Sequence, residues 1–205
     1  MNLQLIENKG LTGLTNVGNT CYLNACLQIL SNTHELNLII DDKILNNKVK
    51  SNSEGSVMTE WNDLRNLIWK RNCIITPTKF VQAIYNAETN SQFHKGEQHD
   101  AFEFLTFLFD MFHEAISRKI NVNISGQIKD SIAVKCYETI LKEYKENYSE
   151  VNELLHFVSI LSIHRNNKEV LSTRFEINTT LNLNIPVSKK VTLYDCLDEY
   201  LKVEL

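Results

Sequence analysis

The stretch that decides the fold of this chain is GLTNVGNTCYLN, residues 13–24. Cys21 stands where the turn-forming residues 18–20 give way to apolar residues with helical spacing, which predict a first helix over 20–31 capped by Asn19 or Thr20. A thiol at a helix N-terminus faces unpaired N–H groups and the positive end of the helix dipole, and both favour the thiolate. Cys21 is therefore a candidate nucleophile, although a buried, inert cysteine fits the same pattern.

Asn16 lies five residues before this cysteine and carries a compact amide donor. If the loop between the two residues folds back onto the helix start, the Asn16 amide can stabilise an oxyanion. Donors of this kind are worth about 10²–10³ in rate. Gly18 permits backbone conformations that other residues avoid, so a substrate can approach closely.

A second polar cluster, GEQHDAFEF, occupies residues 96–104 near the predicted start of another helix. Asp100 and Glu103 are one turn apart and can present paired carboxylates to a basic peptide. A capped, solvated helix start gives the same pattern, because acidic residues there are favourable with the dipole. His164 is interpreted as a polar turn residue and not a zinc ligand, since no C-x-x-C pair or second histidine lies nearby.

The remaining sequence predicts helices first and strands late, which is an α+β order. The predicted features are loops at 46–56 and 87–97, a helix around 61–68 capped by Thr59, a helix starting at Thr76-Pro77, the longest helix at 97–118, two helical pieces in 136–158 with Ser149 as a cap, strands at 157–163 and 181–185, and a last helix opened by a Thr192–Asp195 capping box. On the longest helix, His99, Glu103, Thr106, Asp110, His113 and Glu114 are predicted to form one polar stripe.

Composition limits the class of protein. A chain of 205 residues with 43% hydrophobic residues can form one domain, or slightly more, with a sizeable core. A net charge of −4 without a basic stripe argues against nucleic acid or an anionic membrane as partner. No apolar run approaches the ~18 residues that cross a bilayer, and the N-terminus does not have a signal-peptide pattern. Five scattered cysteines favour reduced thiols, hence an intracellular protein of the cytoplasm or nucleus.

Three segments resemble the ubiquitin-specific proteases. Residues 13–28 are similar to the Cys box of that family, and residues 96–105 resemble its second box, with His99 in place of a common glutamine. Phe175-Glu176, followed by 181–186 and 193–197, is similar to the middle segment. The resemblance runs from about Gly10 to Leu205.

This resemblance implies a papain-like α+β fold of thumb, palm and fingers. Residues 1–10 would be an N-terminal arm and 11–205 a partial catalytic domain, with a helical thumb over 11–135 and the start of the fingers and palm sheet over 136–205. It also implies a thiol-dependent ubiquitin hydrolase, or deubiquitinase, whose partners are ubiquitin or ubiquitinated proteins.

The family's site residues map onto this chain as expectations. Cys21 would attack the carbonyl of ubiquitin's C-terminal glycine to form an acyl-enzyme that water hydrolyses. The Asn16 side chain and the Cys21 backbone N–H would form the oxyanion hole. Gln98, Asp100 and Glu103 would line the channel for ubiquitin's tail, where carboxylates pair with arginine.

Two departures from the family pattern modify these expectations. The first C-x-x-C of the family's zinc site is replaced by residues 163–167, IHRNN, so we expect no zinc and no other cofactor. None of the six histidines matches the family's catalytic His box, so we expect a truncated chain, lacking the C-terminal palm half, that is weakly active or inactive alone. The alternative is a catalytically dead module that binds ubiquitin or another partner.

Overall fold

The computed structural model describes residues 9–87, 92–122, 126, 129–165, 169–187 and 190–202. The chain divides into two compact units, the first taking in 1–127 and 141–154 and the second 128–140 and 155–205. The elements are β1 (Gly13–Leu14), α1 (Cys21–Ser31), α2 (His34–Leu45), α3 (Ser53–Lys70), β2 (Ile74–Ile75), α4 (Thr78–Tyr85), α5 (Ala101–Ile116), α6 (Ser131–Glu146), α7 (Glu150–Leu155), β3 (Phe157–Arg165), β4 (Glu169–Asn178) and α8 (Leu193–Tyr200). Of the predicted N-terminal arm, residues 1–8 lie outside the described residues, and the 135/136 boundary stays a prediction.

Helices α1, α3 and α5 form the centre of the first unit because each turns an apolar face inward. Their fully buried side chains include Leu23, Leu27, Trp61, Ile68, Phe104, Leu108 and Phe112. Trp61 of α3 meets Phe80 of α4 edge to face, with ring centroids 6.2 Å apart. Each large apolar side chain buried in this way stabilises the fold by about 1.5–3 kcal/mol. No described helix is long and apolar enough to span a membrane.

The periodic patterns predict α1 and α5 to within a few residues and the helix over 61–68 within α3, but some other predictions for the first unit are wrong. Helix α2 was not predicted, and α3 begins inside the predicted loop because Asn52 accepts a hydrogen bond from the Gly55 N–H at 2.8 Å and caps the helix. Thr59 is therefore not a cap; it lies within α3 and donates to the Gly55 carbonyl. The longest described helix is α3, with 18 residues, and not α5.

The sequence predicts His113 on a polar stripe opposite the apolar face that enters the core, and this is wrong because His113 is only 7% exposed. Its Nδ1 lies 2.7 Å from the Ser149 hydroxyl, and that hydroxyl oxygen also accepts a hydrogen bond from the Asn152 N–H. Ser149 thus caps α7, as predicted. Burial lowers the pKa of His113, although the nearby carboxylates of Glu114 and Asp110 oppose this shift.

The second unit contains an antiparallel hairpin of β3 and β4. The register runs from Phe157 opposite Asn178 to Arg165 opposite Glu169, with an irregularity between Ile163 and His164. The predicted strand at 181–185 is wrong: its apolar residues alternate, but those five residues form no strand. The predicted capping box of α8 is confirmed, since the Thr192 and Asp195 side chains each accept from the other's backbone N–H.

A charged cluster in the first unit joins three segments that are distant in sequence. Lys43 of α2 is buried and donates to the Glu150 carboxylate at 2.5 Å, and Arg118 donates to both oxygens of the same carboxylate at 2.7 and 2.9 Å. Burial raises the pKa of Glu150, but the bonds from Arg118 and Lys43 outweigh it and hold the pKa at about 2. The ionised carboxylate is therefore the form that the fold stabilises.

We predict that Glu150→Gln lowers the free energy of unfolding at pH 7 by about 2–3 kcal/mol, the scale of charged hydrogen bonds. The pKa of Glu150 is lower in the folded chain than the value of about 4.3 in the unfolded chain, so the ionised carboxylate stabilises the fold above about pH 4.3. This stabilisation is lost as the pH falls towards 2. The difference between Glu150→Gln and the parent should therefore shrink from pH 7 to pH 3 in urea unfolding curves. An equal difference at both pH values would contradict the role given to the ionised carboxylate.

Candidate active site

The segment before Cys21 is fixed to the helices by hydrogen bonds. Strands β1 and β2 pair in parallel, with Gly13 opposite Ile74. From α1, the Gln28 side chain donates to the Thr12 carbonyl at 2.7 Å, and the Asn24 side chain donates to the Thr15 carbonyl at 3.2 Å. These bonds hold residues 12–15 alongside α1, so the loop that follows begins at a defined place.

The loop between Thr15 and Cys21 is organised around the side chain of Asn16. Its Oδ1 accepts from the Gly18 N–H at 3.2 Å and from the Thr20 N–H and hydroxyl at 3.0 and 3.2 Å. Because those N–H groups are donors, the atom facing them must be the carbonyl oxygen. The Asn16 amide nitrogen makes no hydrogen bond among the described residues and stays available as a donor. Gly18 has φ of +102°, which a glycine adopts without strain.

Cys21 is exposed as the first residue of α1. Thr20 occupies the N-cap position, but its side chain does not cap the helix because its hydroxyl is bonded within the loop to Asn16 and to the Val17 N–H. The Asn19 side chain does not cap it either, so the expectation that one of these residues caps α1 is wrong. The helix start therefore leaves its first N–H groups uncapped by side chains beside an exposed thiol.

The second polar cluster lies against this loop, as the two boxes of the resemblance suggest. The Asn19 side chain donates to the Gly96 carbonyl at 2.8 Å across 77 positions of sequence. One turn further along α1, the buried Cys26 thiol donates to the Ala101 carbonyl at 3.1 Å. The start of α5 is thus fixed beside the start of α1.

A cluster of aromatic side chains packs around Tyr22 at the start of α1. Tyr22, 5% exposed, lies within 5.3–6.1 Å of the rings of Phe93, His99 and Phe104. Aromatic pairs at such distances add about 0.5–1.5 kcal/mol each beyond burial. The backbone that carries Cys21 therefore rests on a packed core.

The predicted tail-binding residues Gln98, Asp100 and Glu103 all lie exposed at the start of α5. Asp100 is also the N-cap of α5, since its Oδ1 accepts from the N–H groups of Phe102 and Glu103 at 2.7 and 3.1 Å. The sequence allowed two roles for Asp100: it could cap the start of the helix, or it could present a carboxylate to a basic peptide. One oxygen performs the capping, and Oδ2 makes no hydrogen bond among the described residues.

The residues that stand where the resemblance places the first half of the family's zinc site, 163–167, belong to the second unit. His164 and Arg165 end β3 with exposed side chains, whereas 166–168 lie outside the described residues. The described residues contain no group of three His, Cys, Asp or Glu side chains that could hold a metal ion. Of the described residues in this segment only His164 is of a type that binds zinc, so these residues do not fit a zinc ion.

The structure brings Asn16, Cys21 and the start of α5 together, which are the residues that the sequence singled out. Sequence reasoning missed the residues that fix them: Asn19, Asn24, Gln28 and Tyr22. Asn24 and Gln28 had a signal, since amides on one side of an otherwise apolar helix need acceptors. Asn19 gave no such signal, because its acceptor lies 77 positions away.

Comparison with known proteins shows the family. The family model described as "Ubiquitin carboxyl-terminal hydrolase" matches residues 12–197. The chain therefore belongs to the ubiquitin carboxyl-terminal hydrolase family, with the α+β fold of its ubiquitin-specific protease members.

Three relatives match between 53% and 96% of this chain. Ubiquitin carboxyl-terminal hydrolase 2 of Bos taurus is 30% identical over 96% of this chain, which spans 34% of that protein. The probable ubiquitin carboxyl-terminal hydrolase R319 of Acanthamoeba polyphaga mimivirus is 24% identical over 95% of this chain, which spans 62% of it. The human ubiquitin carboxyl-terminal hydrolase 19 is 36% identical over 53% of this chain, which spans 8% of it. The chain thus spans less than two thirds of each of these relatives.

Solved structures support the fold. The SAGA DUB module of Ubp8, Sgf11, Sus1 and Sgf73 bound to monoubiquitin contains a chain that matches 96% of this one. The TM-score is 0.61, the sequence identity is 16%, and 40% of that chain is covered. The same module bound to ubiquitin aldehyde matches with a TM-score of 0.58 at 18% identity.

We predict that Asp100→Ala lowers the free energy of unfolding by about 1 kcal/mol, the usual contribution of an N-cap, whereas Asp100→Asn leaves it nearly unchanged. Asparagine keeps an oxygen that accepts from the N–H groups of Phe102 and Glu103 but removes the charge. Urea unfolding of both variants measures this. Equal destabilisation by the two substitutions would mean that charge, and not capping, gives Asp100 its structural role.

Proposed function

We propose that this chain acts in thiol-dependent hydrolysis at the C-terminal glycine of ubiquitin, with Cys21 as the nucleophile. The observation that carries the proposal is the exposed Cys21 thiol at a helix start without a side-chain cap, preceded by a loop ordered by Asn16. Membership of the family supports the choice of ubiquitin as substrate.

Asn16 acts as an oxyanion donor in this proposal. Its Oδ1 is engaged by the loop, so its amide nitrogen and the Cys21 backbone N–H remain to stabilise the negative charge on the attacked carbonyl. The Cys21 sulfur forms a C–S bond to the carbonyl carbon and the C–N bond breaks, while the proton lost by the thiol goes to the departing amine. Water then hydrolyses the thioester, which releases the carboxylate of ubiquitin and returns a proton to the Cys21 sulfur. The loop orders this donor before substrate arrives, so it need not reorganise in the transition state.

Gln98, Asp100 and Glu103 form the tail-binding surface in this proposal. All three are exposed at the start of α5, which the Asn19–Gly96 bond holds beside Cys21. Carboxylates at this position attract a tail that contains arginine, and charge-assisted bonds give orientation as well as attraction. The bound tail would therefore lead towards the thiol.

A second candidate is ubiquitin binding without hydrolysis, and one observation favours it. Among the described residues of the first unit, no histidine forms a hydrogen bond to Cys21. His34 lies against Trp69, His99 lies in the aromatic cluster and His113 is bonded to Ser149. The fourth, His94, is an exposed residue of the turn before Glu97. A cysteine hydrolase needs a base for the thiol and an acid for the leaving amine.

Turnover of ubiquitin that carries a C-terminal fluorogenic amide tests the proposal, with Cys21→Ala as the control for nucleophilic attack. A rate that disappears in Cys21→Ala supports hydrolysis. A folded parent chain that binds ubiquitin without turnover supports the second candidate. A folded chain that neither turns over nor binds ubiquitin contradicts both.

We predict that Asn16→Asp lowers turnover by about 10²–10³ while leaving the melting temperature close to that of the parent. Aspartate keeps the oxygen that orders the loop and loses the amide donor. Asn16→Ala is the matched comparison, because it loses donor and acceptor and should lower the melting temperature as well. Parental turnover by Asn16→Asp would exclude the oxyanion role.

A further inference from the structure

A four-residue turn over 94–97 carries the carboxylate of Glu97, which the proposed function does not use. The Glu97 N–H donates to the His94 carbonyl at 3.3 Å, which closes a four-residue turn. Its third residue, Gly96, has φ of +85°, the left-handed value that a type II turn requires there. The turn ends on Glu97, whose side chain is 60% exposed.

This turn is attached to the loop that leads into Cys21. The Asn19 side chain donates to the carbonyl of Gly96, the residue directly before Glu97. Burial is the main cause that raises the pKa of Tyr22 to about 12. Electrostatic interactions with Tyr85, Cys21 and Glu97 raise it further. The Asn19–Gly96 bond therefore holds Glu97 next to the loop that leads into Cys21, while Asp100 uses one carboxylate oxygen to cap α5.

His99 flanks the Glu97 carboxylate. Its Nε2 is enclosed, makes no hydrogen bond, and lies 3.7 Å from Glu97 Oε2, which is longer than a hydrogen bond. The ring is fixed between Phe93 and Tyr22, with centroids 5.0 and 5.4 Å away. A rigid ring at this distance limits the positions that the Glu97 side chain can take.

We propose that Glu97 is a further substrate-binding residue that recognises an arginine in the tail of ubiquitin next to Cys21, and that His99 is its positioning residue. The inference rests on the proposed function, because the arginine that Glu97 would bind belongs to the ubiquitin tail that Cys21 attacks. An exposed carboxylate that no described lysine or arginine pairs with, held beside a nucleophile by a turn and a side-chain bond, suits the planar donors of a guanidinium.

The neighbouring charges are consistent with this role. Lys95 precedes Glu97 on the turn and is exposed, but no ion pair joins the two among the described residues. Among the described residues, the structure pairs the Glu97 carboxylate with His99. An incoming arginine therefore does not have to displace a lysine.

Binding of labelled ubiquitin to the full 205-residue chain, measured by fluorescence anisotropy, tests Glu97. Glu97→Gln should raise Kd about fivefold at low salt, the upper range for an exposed ion pair, and the difference should shrink at high salt. Glu35→Gln is the matched control, since it removes the same charge from the exposed first turn of α2. It should leave Kd unchanged.

Ubiquitin with single tail arginines replaced by alanine identifies the contact. For one of these ubiquitins, Glu97→Gln should cause no further loss of affinity, because the ion pair between Glu97 and the arginine is already broken. His99→Leu should reduce the discrimination between that ubiquitin and the native one, and His99→Gln, whose amide can face Glu97, should restore it. A merely structural His99 would lower the melting temperature without changing this discrimination.

The outcomes separate the inference from the proposed function. A parent chain that binds ubiquitin while Glu97→Gln binds equally well overturns the role of Glu97 alone. Equal loss with every arginine variant means a general effect of charge, which also overturns it. A folded parent chain that does not bind ubiquitin overturns the inference together with the proposed function.

Discussion

The arrangement of the site depends on one constraint: the backbone polar groups of a loop without regular structure need hydrogen-bond partners, and side-chain amides supply several of them here. Residues 12–20 form two ladder pairs with β2 and no other regular structure. The Gln28 and Asn24 side chains donate to backbone carbonyls in the first half of this stretch. The Asn16 oxygen accepts hydrogen bonds from backbone N–H groups in its second half. Because each amide has both a donor and an acceptor, one residue type can satisfy either kind of backbone group.

This constraint explains why the asparagines near Cys21 differ in what they do. Asn16 uses its oxygen within its own loop, so its nitrogen remains for another acceptor. Asn19 has φ of 55°, which asparagine tolerates better than most residues, and its nitrogen reaches the Gly96 carbonyl. A single loop thus leaves one amide nitrogen free of hydrogen bonds among the described residues and uses another to bind the second cluster.

Local signals were sufficient for much of the fold, and particular residues show where they were not. The spacing of Leu23, Leu27 and Leu30 predicts α1, and the Thr192–Asp195 pair predicts the start of α8. Helix α2 was missed because its apolar residues do not share one face: Leu36 and Ile40 are fully buried, whereas Leu38 is 69% exposed. Residues 181–185 alternate like a strand, but a strand also needs a partner, and alternation does not supply one.

The exposure of Cys21 follows from the same helical period that builds the core. Residues 22, 23, 26, 27 and 30 of α1 are buried, and Ala25 and Ile29 continue the exposed side that begins at Cys21. Had the helix begun one residue earlier with the same buried face, the rotation of about 100° per residue would still place Cys21 outward. The orientation of the thiol is thus set by the core, whereas its polar surroundings are set by the loop. Burial at Tyr22 and solvent at Cys21 are two consequences of one packed helix face.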